Sequence, residues 1–133
     1  MAIVVGYVPT KEGRAALQAA VKESKLRNSM LVVINSNRGG RDLEADDAAK
    51  YEQELADIKA ELDEAGVEHQ VRQLVRGMEP SEDLISVAEE VGAELIVIGL
   101  RRRTPVGKLI LGSNAQRILL DASCPVLAVK AEA

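Results

Sequence analysis

Phenylalanine and tryptophan are missing from this 133-residue chain, and tyrosine occurs only twice. An interior built without them has to be filled by Val, Leu, Ile and Ala, a composition suited to a sheet flanked by helices. The single cysteine, Cys124, excludes an internal disulfide and a Cys-based metal site made by this chain alone. It sits in "SCPVLAV", just before an apolar run, where a thiol behaves as a small buried hydrophobe. Long apolar stretches are lacking too: runs such as Met30–Ile34 and Leu95–Ile98 fall far short of the ~20 residues that cross a bilayer. Met1–Thr10 has neither the basic region nor the cleavage pattern of a secretory signal, so the expected location is the cytoplasm, with no membrane partner. Positive charge is in deficit, 17 Lys and Arg against 21 Asp and Glu for a net charge of −4. That balance argues against nucleic acid as a partner through a basic surface.

The length suits one domain spanning 1–133, large enough for a core that needs no metal or disulfide. Charge is unevenly spread within it. Arg101, Arg102, Arg103, Lys108 and Arg117 lie in one stretch that holds no acidic residue, an electropositive island on an acidic chain.

Apolar runs alternate with helical periodicity throughout. Ile3–Val8 is a first strand, after which Thr10 is placed to cap a helix with Leu17, Ala20, Val21 and Ser24 on one face. Met30–Ile34 is a second strand, followed by the loop "NSNRGGRD". An acidic helix is expected from about Asp42 to Ala65, with Tyr51, Leu55, Ile58 and Leu62 along one stripe. Val67–Val75 alternates partly, as an edge strand does. Leu84, Ile85, Ala88 and Val91 mark a short helix closed by Gly92. Leu95–Ile98, a helix through Ile118, Leu119 and Ala122, and the strand Val126–Val129 complete the chain. Strand and helix alternating in this way predict an α/β fold, a parallel sheet with helices on both faces.

In such a sheet, ligands bind beyond the carboxyl ends of the strands where the strand order reverses. Two segments compete for that place, Val8-Pro9-Thr10 and the stretch beginning at Gly99. The second is equipped for an anion. Gly112 allows close approach, and Ser113-Asn114-Ala115-Gln116 has the spacing of a capping box with Ser113 as N-cap. The amides and positive dipole end of that helix would then face the loop. Nucleotide fingerprints of other kinds do not fit: Gly107-Lys108 lacks the upstream glycine of a P-loop and has Leu109 where a hydroxyl belongs, and no G-x-G-x-x-G follows the first strand. His69, the one histidine, has no partner residue type nearby and is expected to be a surface or satisfied side chain. Pairs on the acidic helix such as Asp57 and Glu61 are expected to be solvated. No nucleophile and base stand at a spacing that nominates a catalytic set, so no enzyme and no metal site is expected.

Gly99, Gly112 and Ser113, with "GAELIVIG", "GKLILGS" and "CPVLAVK", carry a resemblance over the full length to the universal stress protein family. Its ATP-binding branch has the motif G-x2-G-x9-G-[ST] after the fourth strand, and this chain is similar to it with Arg102 in place of the second glycine. The resemblance implies a Rossmann-like, adenine nucleotide alpha hydrolase-like fold: five parallel strands in the order 3-2-1-4-5. It also implies a homodimer through the last strand, Val126–Val129. The implied ligand is ATP or AMP, with or without Mg2+, in a regulatory stress-response role. The implied nucleotide-binding residues are Pro9, Thr10, Val33, Gly99, Arg101, Arg102, Gly112, Ser113 and Asn114, with Val33 against adenine. Val8 stands where the family usually has an aspartate that contacts the nucleoside. Arg102 either grips phosphate through charge-assisted bonds or narrows the cradle. The alternatives are a nucleotide-free dimeric interaction module using the acidic helix, or a hydrolase acting on a small phosphorylated substrate.

Overall fold

The computed structural model describes residues 1–7, 10–37, 45–75, 79–100 and 112–131. Their order is β1 (Ala2–Gly6), α1 (Lys11–Arg27), β2 (Met30–Asn37), α2 (Ala45–Ala65), β3 (His69–Val75), α3 (Pro80–Val91), β4 (Ala93–Leu100), α4 (Ser113–Asp121) and β5 (Val126–Lys130). The strands form one parallel sheet in the order β3-β2-β1-β4-β5, the expected arrangement.

Side-chain alternation along the strands divides the interior into two layers. Ile3, Val5, Tyr7, Leu31, Val33, Leu95 and Val97 face α1 and α2, meeting Ala16, Leu17, Ala20, Ile58 and Leu62. Val4, Val32, Ile34, Ile96 and Ile98 point the other way, onto Leu84, Val87 and Ala88 of α3 and Ile118 of α4. Both faces of β1 are therefore dry, and Ile3, Val4 and Val5 are each 0% exposed. Aliphatic side chains fill this volume, and Tyr7 is the largest fully buried side chain among the described residues.

Helix ends follow local chemistry. The Thr10 hydroxyl accepts from the Gly13 amide at 3.2 Å, the expected cap of α1. Gly92 closes α3 at φ +62°, a left-handed conformation that favours glycine. Several strand boundaries differ from expectation, β4 for instance running from Ala93 to Leu100, and two of the differences have a clear local cause. β2 runs on through Asn35, Ser36 and Asn37, poor strand formers held by pairing with Gln73, Leu74 and Val75 of β3. β3 begins at His69, because the Val67 amide bonds back to the Leu62 carbonyl to finish α2.

Candidate functional site

After β1 the chain turns to β2 on one side, and after β4 to β5 on the other, so the sheet's switch point lies between β1 and β4. A cavity of about 200 Å³ opens there. Its floor is made by strand ends: Gly6 and Tyr7, Ile34, and Ile98 with Gly99. Its walls are the first two turns of three helices, with Glu12 and Gly13 from α1, Pro80 and Leu84 from α3, and Asn114, Ala115 and Ile118 from α4.

The three helix starts differ electrostatically. α1 has its Thr10 cap and Glu12 in the first turn. α3 carries Glu82 and Asp83 there, and its N-cap Glu79 makes no side-chain cap bond. Asn114 supplies one from α4 instead, its Oδ1 accepting from the Ser81 amide at 3.3 Å. α4 has no acidic residue in its first turn and no side-chain cap bond, so among the described residues the positive end of its dipole is the least compensated of the three.

Ser113 is not the cap that its S-x-x-Q spacing suggests. Gly112 occupies the N-cap position at φ −69° and ψ 167°, and its carbonyl accepts from the Gln116 amide at 3.0 Å. Ser113 is thus the first helical residue, one place further in than the capping-box pattern requires.

The two motif glycines have different physical reasons. A Cβ on Gly99 would overlap the main-chain carbonyl of Glu12, so the fold itself requires glycine where α1 crosses the end of β4. A Cβ on Gly112 would meet no described atom within 4 Å, and its φ is open to any residue. The described residues give no steric reason for glycine at that position.

Gly99 and Asn114 line the cavity, and Gly112 and Ser113 are exposed at its α4 rim. Thr10 is exposed at the start of α1. Val33 is not brought to the cavity: it is 0% exposed in the layer facing α1 and α2, and its neighbour Ile34, pointing to the other face, is the β2 residue that lines it. Pro9, Arg101 and Arg102, with Val8, lie outside the described residues. Tyr7 and Glu12 were not singled out by motif, since neither belongs to the glycine pattern.

Tyr7 joins the cavity to α2. Its hydroxyl donates to Glu54 Oε1 at 2.7 Å, and Arg14 lies 3.5 Å from the same oxygen. Burial, then the hydrogen bond to the Glu54 carboxylate, pushes the phenol pKa well above its ordinary value. His69 is remote from the cavity; its Nδ1 donates to the Val67 carbonyl at 2.8 Å. Burial raises the pKa of the Cys124 thiol, which packs half-buried against the α3/α4 layer. Among the described residues no cluster of three metal-ligating side chains occurs, and no helix is long and apolar enough to cross a membrane.

A doubly wound parallel sheet with a cavity at its switch point defines a Rossmann-like α/β protein of the adenine nucleotide alpha hydrolase-like fold. Residues 1–130 match the model of the universal stress protein family. The chain is 45% identical over 128 residues to a universal stress protein of Mycolicibacterium smegmatis, covering 96% of both chains. It resembles a universal stress protein structure from Archaeoglobus fulgidus at 36% identity and a TM-score of 0.83, covering 98% of each chain. A structure of the universal stress protein from Archaeoglobus fulgidus in complex with dAMP is similar at 31% identity and a TM-score of 0.78, again over 98% of each. The chain belongs to the universal stress protein family.

Proposed function

We propose that the protein is a cytoplasmic, regulatory stress protein that binds an adenine nucleotide, ATP or AMP, at this cavity. Gly112 carries the proposal. No described atom would meet a Cβ there, and among the described residues its helix start is the least compensated of the three, leaving room for an anion with main-chain amides as donors. The cavity, at about 200 Å³, is below the roughly 300 Å³ at which small-molecule sites begin. It therefore takes the base and part of the sugar, against Ile34, Leu84 and Ile98, while the phosphates lie outside over α4. Arg101 and Arg102 follow β4 directly in sequence and supply charge-assisted bonds to them. Binding of dAMP by the 31%-identical relative supports the same ligand class.

Calorimetry on nucleotide-stripped protein tests this. Heat of binding with AMP and ATP is expected, and no heat at millimolar ligand overturns the proposal. Gly112→Val is expected to weaken binding at least tenfold with its melting temperature unchanged. Arg102→Gly is expected to weaken binding; a gain in affinity would show that the side chain obstructs.

We also propose that the chain forms a homodimer through β5. β5 ends the sheet on one side, and the exposed apolar residues Leu119, Leu120 and Leu127 lie on it and on α4.

A further inference from the structure

On the side of the sheet that faces α1, β5 is incompletely covered. Val129 packs half-buried against the α1 layer, and Leu127, two residues earlier on the same face, is 37% exposed. A parallel sheet is normally buried on both faces by helices, and no described helix lies over β5 there beyond the flank of α1. What remains between α1 and β5 is an open groove of about 640 Å³. Ala15 and Ala19, four apart and so on one face of α1, leave its wall low, and Val129 lines the other side. Four cations surround it, Lys11, Arg14 and Lys22 on α1 and Lys130 on β5, and no carboxylate is among its described lining. Arg14 lies 3.5 Å from Glu54 with its side chain 63% exposed, while Lys11, Lys22 and Lys130 make no ion pair with another described residue. Lys130 is level with Leu100, next to the Gly99 on which Glu12 rests, so it joins Lys11 and Arg14 at one end of the groove. Lys22 stands at the other end, about 16 Å along the helix at a rise of 1.5 Å per residue.

We propose that this groove docks an amphipathic helix of a partner protein, laid beside α1 with an aliphatic stripe on Ala15, Ala19 and Val129 and acidic residues near both of its ends. A helix seated there completes the layer over β5, and the two small alanines permit the close approach of packed helices. Its carboxylates meet Lys11, Arg14 and Lys130 at one end and Lys22 at the other, on a molecule whose net charge of −4 repels an acidic partner elsewhere. Nucleic acid fits less well, because no aromatic side chain is among the described lining to stack on bases. The groove shares no described lining residue with the switch-point cavity.

The test is fluorescence anisotropy with labelled synthetic helices of about 16 residues that share one Leu/Ala stripe and carry Glu, Gln or Lys at both ends, alongside a single-stranded oligonucleotide. The Glu helix should bind about tenfold or more tightly than the Gln and Lys helices, and the advantage should shrink as NaCl is raised to about 0.5 M, where exposed charges are screened. Lys22→Glu combined with Lys130→Glu should weaken binding of the Glu helix about tenfold, since attraction becomes repulsion at both ends. Ala15→Arg adds a cation but fills the groove, so it should weaken binding as well, which attraction by charge alone does not do. Circular dichroism melts check that α1 is intact, and the two lysine reversals stand as the test if Ala15→Arg does not fold. No binding of the Glu helix, equal binding of the Glu and Gln helices, or an affinity unmoved by the lysine reversals overturns the proposal. Tighter binding of the oligonucleotide than of the Glu helix overturns it in favour of a nucleic-acid surface, and a folded Ala15→Arg protein that binds the Glu helix at least as well as wild type overturns the seating in the groove.

Discussion

A single missing methyl group separates the roles of Gly99 and Gly112. At Gly99 an added Cβ meets main chain, the Glu12 carbonyl, which moves only if α1 moves. Overpacking of this kind costs about 1–3 kcal/mol, so Gly99→Ala should lower the unfolding free energy obtained from urea denaturation by that amount. Gly112→Ala meets no described atom and should leave the unfolding free energy within about 0.5 kcal/mol of wild type. Tyr7 gives a second prediction at this scale. Its phenol pKa is raised in the folded state, so above pH ~10, the ordinary phenol value, the unfolded chain loses a proton that the folded chain keeps. Stability is complete below that pH and falls as pH rises through it. Tyr7→Phe should be about 1–3 kcal/mol less stable at neutral pH, from the lost bond to Glu54. It should also lose this part of the alkaline slope in denaturation curves between pH 9 and 11. An unchanged slope would show that the buried phenol is not its source.

Between elements, Asn114 ties two helix starts together. Its Oδ1 takes the Ser81 amide of α3, whose own N-cap residue makes no side-chain cap bond. Removing a cap costs about 1 kcal/mol, so Asn114→Ala should destabilise by that amount and speed hydrogen exchange at Ser81. Asn114→Asp keeps the acceptor and should restore protection at Ser81. Were exchange there unaffected in the alanine variant, the bond would not be holding α3. Much of the architecture was legible in sequence at this scale, because continuous aliphatic runs such as Leu95–Ile98 can only be central strands of a two-sided sheet. What was not legible came from neighbours. Asn35–Asn37 are strand only because β3 pairs with them, and the α4 cap shifted from Ser113 to Gly112, a one-residue displacement that the S-x-x-Q spacing does not reveal. Ile34 rather than Val33 reaches the cavity because alternation fixes which residues share a face, whereas the side on which the cavity opens depends on where α3 and α4 pack. The glycine pattern marked the α4 rim of the site; the α1 wall with Glu12, and the Tyr7 link to α2, arise from the tertiary crossing of α1 over β4.

At the scale of the whole molecule, the two edges of the sheet are unlike. β3 carries His69, Gln70, Arg72 and Gln73, polar and charged residues of the kind that discourage a further strand from pairing. β5 is Val-Leu-Ala-Val before its terminal Lys130, with Leu127 37% and the nearby Leu120 82% exposed. An aliphatic edge whose one charge stands at its last residue is a template for pairing, and a second β5 related by a two-fold axis satisfies both edges at once. The expected solution mass in sedimentation equilibrium is therefore twice the 14.3 kDa of the chain. Its melting temperature should rise with protein concentration, as mass action requires of a dimer. Leu127→Lys brings like charges near the two-fold axis and should return the mass to that of one chain and abolish the concentration dependence. The cavity lies at the β1–β4 switch point and no β5 residue is among its described lining, so the monomeric variant should still bind AMP, with affinity within a few-fold of wild type. A wild-type protein that sediments as a single chain at micromolar concentration would overturn the dimer. A monomeric Leu127→Lys protein that fails to bind AMP while remaining folded would show instead that the second copy completes the site.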